Sequence, residues 1–347
     1  MDYHDKKVLF IGAGAIGASV AAWVAPHHAD LYIMDTGEVQ QALKQEGITV
    51  YQSDNPETTR ETVRIKTVQT LSELPDVDII VLAIKNYSLP AMAEMIEKTL
   101  GDRPVIVSMA NGTDNQSILS RYFSKVIYTV VSFNARRDEP VVVAYQKKGP
   151  LLIGTPDNSL REELRMVQAI LGRGCETIIV DHLADAVHSK IVMNLTNALD
   201  TLVGQGYQPI SNFAVYQKLL PNTLWEGVKI IKAAGFKECR MGGMPSFSLL
   251  HLGAIMPAWI ARPVFKRKIK TMLMSSMTQD VLLRDSGASE IESLTGYIVR
   301  LAEKHKVPAP YNATIFRLAK EKFGPGFKPM RCEDVMAAVE QAKHAAA

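Results

Sequence analysis

Apolar residues follow two rhythms along this chain. In the first half, short continuous apolar runs alternate with stretches of helical spacing. Val8-Leu-Phe-Ile11 reads as a buried strand, followed by a glycine-rich turn and a helix to about Val24. Leu31–Met34, Asp78–Ala83, Pro104–Met109 and Val126–Phe133 read as further strands of the same kind. Continuously apolar strands alternating with helices predict a parallel sheet covered on both faces. Val141–Ala144 and Leu151–Ile153, joined through Lys147-Lys148-Gly149, predict an antiparallel hairpin. A last helix and the strand Thr177–Val180 would close this part.

From Asp181 onward strand patterns stop. His182–Leu202, Pro221–Ala234, Lys268–Arg284 and Ser289–His305 all carry helical spacing. Two domains are therefore expected, 1–181 and 182–347, with no internal repeat. The longest apolar run, Leu249–Ala261, contains His251 and Pro257 and is too short to span a bilayer.

Composition narrows the function classes. The chain has 347 residues, 47% hydrophobic and 22% charged, which suits a globular protein of two domains. A net charge of +3 is too mild for a nucleic-acid footprint. The basic run Arg262–Lys270 reads as a solvated helix face, with attraction of an anionic substrate as the alternative. Cys175, Cys239 and Cys332 form no CxxC pair, and no histidine pairs with another ligand at metal spacing. The N-terminus is polar where a signal peptide would be apolar. A cytoplasmic protein without metal, membrane or nucleic-acid partner is expected.

Gly12-Ala13-Gly14-Ala15-Ile16-Gly17 is a GxGxxG sequence placed between the first strand and its helix. Gly12 permits a tight turn, Gly14 close approach of a pyrophosphate, and Gly17 close helix–sheet packing. The six residues thus predict a dinucleotide site, with the phosphates at a helix N-terminus. Asp35 ends the second strand, twenty-one residues after Gly14. It can accept hydrogen bonds from ribose hydroxyls, or serve as an Asx turn or cap ahead of Gly37. Asn111-Gly112 follows a strand at the sheet end where ligands collect, and would equally suit a plain turn. The fold expected is an N-terminal α/β Rossmann-type doubly wound sheet followed by an all-α C-terminal domain.

In the second half, Lys190, Asn194 and Asn197 are spaced i, i+4, i+7 and share one helical face. Ile191, Val192, Met193, Leu195 and Leu199 make the remainder apolar. A helix apolar nearly all round is buried, so its polar stripe needs a polar partner. A cleft filled by ligand would supply one; a solvated surface stripe is the alternative. A lysine there could stabilise and protonate the oxygen of a ketone receiving hydride. Further on, Ser276 and Asp280 are i, i+4 partners beside Gln279. Ser289-Glu-Ile-Glu292 reads as a capping box, followed by a core face of Ile291, Leu294, Ile298 and Leu301. That places Glu290 in the first helical turn, where it would satisfy the helix dipole.

Together these segments resemble the ketopantoate reductase family along most of the chain. Gly12–Gly17 matches its nucleotide loop, and Lys85 in Val81-Leu-Ala-Ile-Lys85 its lysine near the cofactor. Asn111-Gly112 resembles the pair whose asparagine lies between nicotinamide and substrate. Lys190-x-x-x-Asn194 resembles its catalytic lysine and substrate-binding asparagine. Ser276-Met-Thr-Gln-Asp280, Ser289-Glu290-Ile and Gly296-Tyr-Ile-Val299 follow its C-terminal signature. The resemblance implies Lys190 as general acid, Asn194 and Asn197 on substrate, Ser276 on its carboxylate, and Glu290 ordering lysine and substrate. The second helix asparagine falls seven residues after the lysine where the family has eight. The Asp280–Glu290 interval is two residues longer, and residues 240 to 265 look like an enlarged insertion. Asp35-Thr36 stands where NADP-using members often place arginine, which favours NADH within an NAD(P)H-dependent reading.

The expected activity is reduction of a 2-keto acid, with 2-dehydropantoate first and another keto acid second. A homodimer is left open. An opine-type dehydrogenase would want a histidine base, and His188 lies on another face from Lys190. A dinucleotide sensor would have no use for a proton donor.

Overall fold

The computed structural model describes residues 3–270, 274–285 and 289–345. The chain forms two compact units, Met1–Ala186 and Val187–Ala347, and the division falls inside one helix, Leu183–Val203.

The first unit contains the strands β1 (Val8–Ile11), β2 (Leu31–Met34), β3 (Ile48–Gln52), β4 (Glu61–Val63), β5 (Lys66–Thr67) and β6 (Ile79–Leu82). They continue as β7 (Val105–Ser108), β8 (Val126–Val131), β9 (Ala135–Glu139), β10 (Val142–Tyr145), β11 (Leu151–Gly154) and β12 (Thr177–Ile179). Its helices are α1 (Ala15–Val24), α2 (Gly37–Glu46), α3 (Pro56–Thr59), α4 (Leu89–Leu100), α5 (Asp114–Leu119) and α6 (Arg161–Leu171).

Eight strands make the main sheet, in the order β12-β11-β8-β7-β6-β1-β2-β5. All neighbours are parallel except β11 and β8. The chain leaves β1 toward β2 and returns on its other side at β6. That reversal opens a crevice at the carboxyl ends of the central strands, where ligands of such sheets bind. β1, β6 and β7 are buried at every position, as their unbroken apolar runs require.

A second sheet, β4-β3-β10-β9, was not legible from hydropathy. It corrects the expected hairpin. Val142–Tyr145 pairs with β9 and β3, whereas Leu151–Gly154 joins β8 and β12 in the main sheet. The true hairpin partner, Ala-Arg-Arg-Asp-Glu, is charged and half-exposed, so it carries no apolar strand signal. α1 packs against β1 and β2 and also against β3, β9 and β10. Covered by both sheets, it is buried from Gly17 to Val24, with the Trp23 ring tilted against Phe133 and edge-on to Tyr145, at 5.0 Å each.

The second unit is helical, with no strand among the described residues. It comprises α7 (Leu183–Val203), α8 (Phe213–Ala233), α9 (Phe247–Ile255), α10 (Ala258–Lys270), α11 (Ser276–Thr278), α12 (Tyr297–Lys304), α13 (Pro310–Lys322) and α14 (Cys332–Ala345). α8 begins eight residues before Pro221, because the Asn212 side chain caps it by accepting from the amides of Ala214 and Val215. The helix expected over 268–284 is interrupted: Met274 and Ser275 lie outside any helix, and Ser275, with extended backbone, caps a new helix through the Thr278 amide. The expectation over 271–273 lies outside the described residues.

The helix expected from Ser289 also starts late. Glu292–Gly296 is a π-helical turn leading into α12, so Glu290 precedes the helix instead of lying in its first turn. Glu292 pairs with Arg300 and Lys320, which draws its carboxylate away from a capping box. The expected core face holds: Ile291, Leu294 and Ile298 are buried and Leu301 is nearly so. Glu226 on α8 is buried and accepts from the amides of Tyr311 and Asn312 and from the Asn312 side chain at 2.7–3.1 Å. It thereby caps α13 from a neighbouring helix. No helix among the described residues is long and apolar enough to cross a membrane.

Candidate active site

The loop after β1 has the geometry its glycines predict. Gly12 has φ +101, and a Cβ there would meet the Ala83 carbonyl oxygen at 2.7 Å. A Cβ on Gly17 would collide with the Gly12 carbonyl oxygen and the Ala83 side chain. The turn is therefore pressed against the end of β6. Gly14 differs: nothing lies within 4 Å of where its Cβ would be. It occupies the N-cap of α1 without a side-chain cap, and no acid occupies the first turn. Open space beside uncapped amides and a positive helix end fits a pyrophosphate.

Asp35 is tied to this loop. One carboxylate oxygen accepts from the Ala13 amide at 2.5 Å and the other from the Thr36 amide at 2.7 Å. It does not cap α2, whose N-cap is Thr36. A carboxylate has about four acceptor positions, so two bonds leave capacity for ribose hydroxyls. Asp35 therefore braces the glycine loop instead of capping α2.

Lys85 and Asn111 follow β6 and β7. The candidate residues of this unit therefore sit at the carboxyl ends of four adjacent strands, β7-β6-β1-β2. Two asparagines missed from the sequence hold the Asn111 loop. Buried Asn86 donates to the Asn111 carbonyl at 2.7 Å, and buried Asn115 donates to the Ala110 carbonyl at 3.0 Å and to Ser108 at 3.1 Å. Gly112, at φ +85, lets the chain turn between them. Spacing gave no hint of Asn86, because its partner lies 25 residues away.

In the second unit α7 is buried along most of its length, and Lys190, Met193, Thr196 and Asn197 form its partly accessible strip. Asn194, beside them, is 9% exposed. Among the described residues, the side chains of Lys190, Asn194 and Asn197 make no hydrogen bond or ion pair. Loss of hydration pulls the Lys190 ammonium down from 10.5 to about 8. A polar stripe with its bonding capacity unspent, on a helix otherwise packed in protein, is what a polar ligand would use.

His188 is committed elsewhere: its ring stacks on Phe236 at 3.4 Å and its Nε2 meets the Tyr297 hydroxyl at 2.6 Å. Ser276 is exposed at the start of α11. Behind it, hydroxyls run from Ser275 to Thr278 at 2.8 Å and on to Thr201 at 3.0 Å, and Thr201 donates to the Asn197 carbonyl at 2.7 Å. This chain of bonds fixes the Ser276 segment to the α7 stripe. Glu290 is buried, and its carbonyl accepts from the Leu294 amide. Asp280 pairs with Arg284 at 2.6 Å. No group of residues able to hold a metal ion occurs among the described residues.

Family models cover both units. "Ketopantoate reductase PanE/ApbA" matches residues 8–158, and "Ketopantoate reductase PanE/ApbA C terminal" matches 182–323. A 2-dehydropantoate 2-reductase from Archaeoglobus fulgidus is 25% identical over 319 residues, covering 91% of this chain and 97% of the relative. Among solved structures, D-mandelate dehydrogenase in a ternary structure with NADH and anilino(oxo)acetate superposes with a TM-score of 0.71 at 17% identity. It covers 97% of this chain and 99% of its own. A dimeric ketopantoate reductase from Staphylococcus aureus gives 0.64 at 19% identity, with 97% and 99% covered.

Proposed function

The chain belongs to the ketopantoate reductase family, and from that premise we propose that it reduces a 2-keto acid with NAD(P)H, 2-dehydropantoate to pantoate being the first candidate. The observation that carries this reading is the unspent stripe of Lys190, Asn194 and Asn197, with its lysine at about 8. The first unit would hold the dinucleotide, through Gly12–Gly17 at the pyrophosphate, Asp35 at the ribose and Lys85 and Asn111 toward the nicotinamide. Bound there, the nicotinamide supplies the hydride.

The chain's own residues would do the rest. As the carbonyl carbon gains hydride, negative charge develops on its oxygen, and the Lys190 ammonium donates its proton to that oxygen. The product is the 2-hydroxy acid, and Lys190 regains its proton from solvent. Asn194 and Asn197 bind substrate hydroxyl or carbonyl groups, Ser276 its carboxylate, and Glu290 orders lysine and substrate. A lysine held near 8 remains mostly charged at neutral pH yet gives up its proton more readily than a solvated one.

Asp35 favours NADH over NADPH in this reading, because a 2′-phosphate would meet its charge. We also take the chain to be a homodimer, as the Staphylococcus aureus protein is. Cys175, Cys239 and Cys332 are not joined in disulfides, which suits the reducing cytoplasm. The D-mandelate dehydrogenase likeness brings the keto acid corresponding to mandelate into consideration as well. A committed His188 counts against an opine-type base. The test is oxidation of NADH and of NADPH by purified protein across a panel of 2-keto acids. Turnover ranks the substrates; no turnover with any of them would leave a dinucleotide-binding sensor.

A further inference from the structure

We propose that the outward faces of α9 and α10 form the interface between two copies of this chain, a reading that rests on the homodimer taken above. Both helices lean on α8. Trp225 stacks on His251 at 4.3 Å, the Gln217 side chain donates to the Ala258 carbonyl at 2.8 Å, and Phe265 packs against Phe213 at 5.6 Å. Their opposite faces point away from that support and carry large apolar side chains, joined on α10 by the exposed cations Arg262, Lys266 and Arg267. Leu249, Leu252, Ile255, Trp259, Ile260 and Val264 are 45–78% exposed. Six of the eleven large apolar side chains exposed among the described residues therefore fall within one stretch of sixteen.

These exposures amount to between three and four fully bare large side chains, on the order of 600 Å² at roughly 150–250 Å² each. A monomer's largest apolar patch is about 300–600 Å², so this one sits at the upper limit of what is left uncovered. A standard interface buries about 800 Å² per partner, somewhat over half of it apolar. The patch is thus large enough to be the apolar centre of a stable dimer. A face that is always apolar needs a partner present whenever the chain is present, and a second copy meets that condition in fixed ratio. A two-fold contact also closes, whereas a different surface on the partner would leave the patch free to build chains.

Charge around the patch sets a signature. From Cys239 to Gln279 the sequence has no acid and six basic residues; Arg262 and Lys266, spaced i, i+4, border the apolar side chains and exposed Arg267 falls between Pro263 and Ile260 around the helix. A two-fold contact brings like charges toward each other at its edge. Salt screens that repulsion, so the dimer should tighten as ionic strength rises. An anionic membrane or an acidic polypeptide would be released by salt instead.

The test is sedimentation velocity on the full-length protein, from submicromolar to tens of micromolar, at low and high salt. Trp259→Glu and Val264→Glu are compared with wild type, with folding checked by circular dichroism and by NADH binding. The expected result is a wild-type dimer that tightens with salt, and variants that associate at least roughly a hundred-fold more weakly while remaining folded. A wild type monomeric at every concentration would overturn the homodimer reading itself. A dimer equally tight in both variants would overturn this surface and leave the dimer standing. Salt-sensitive binding of the monomer to phosphatidylserine vesicles would assign the face to a membrane and overturn the proposal.

Discussion

Replacing Lys190 by methionine separates its proposed chemistry from its structural burden. Methionine keeps most of the volume on α7 and removes the ammonium. The lowering from 10.5 to about 8 means that the folded protein holds the charged form at a cost. At about 1.4 kcal/mol per unit this is roughly 3 kcal/mol, which we discount to about 1–3 because part of the residue meets solvent. Since the folded value lies below the unfolded one, the cost is fully present below about pH 8 and disappears as pH rises past 10.5. Lys190→Met should therefore melt higher than wild type at pH 7, with the gain vanishing under alkaline conditions. Its kcat on the best keto acid should fall about 10²–10⁴-fold, while NADH affinity, measured by fluorescence titration, stays near wild type. The kcat/KM of wild type should decline above about pH 8, and the variant should lack that limb. Lys190→Arg should restore little, because a guanidinium holds its proton at neutral pH. A folded Lys190→Met that retains near-normal kcat would refute the catalytic assignment, and one that melts lower would refute the strained ammonium.

Three more outcomes are expected. Initial rates should favour NADH over NADPH by at least roughly ten-fold, the worth of about 1.4 kcal/mol at Asp35. Asp35→Ala, which also frees the Ala13 amide, should weaken both cofactors, and a wild-type preference for NADPH would count against the ribose role. Asn86→Asp, nearly the same shape but unable to donate to the Asn111 carbonyl, should lower kcat by about ten-fold or more through a displaced loop. An unchanged kcat would leave Asn86 a mere packing residue. Asp200 is buried against the Tyr216 hydroxyl at 2.6 Å, and burial pushes its carboxyl up to about 7. A folded value above the unfolded one favours the protonated fold, so this group's stability is fully present below about pH 3.8, declines as pH rises, and is gone once pH has passed about 7. Asp200→Asn should flatten the melting profile between pH 5.5 and 7.5 by roughly 2 kcal/mol, and an unaltered profile would show that Asp200 does not titrate there.

Much of the first unit could be read directly because its strands are buried on both sides. β1, β2, β6 and β7 are continuous apolar words, and the glycines between them have steric duties that no other residue fulfils. The same logic exposed the α7 stripe, since three polar residues in a buried helix stand out by period alone. Hydropathy failed where burial is partial or comes from another element. β9 is charged because it lies half in solvent, and the pairing of β10 depends on which strand arrives beside it. The start of α8 was hidden because an asparagine cap outweighed a proline eight residues inside.

Tertiary structure alone decided who touches whom. Asn86 reaching the Asn111 carbonyl, Asp35 reaching the Ala13 amide and Glu226 capping α13 each join residues more than twenty positions apart. The carboxyl of Asp200 and the ammonium of Lys190 take their shifted acidities from the protein packed around them, which no local spacing encodes. By itself, then, the sequence determined the strands, the tight glycine loop and the polar stripe, because periodicity and steric demand act locally. The support of the site and the proton affinities within it were left to the fold, because hydrogen bonds and dehydration depend on distant neighbours.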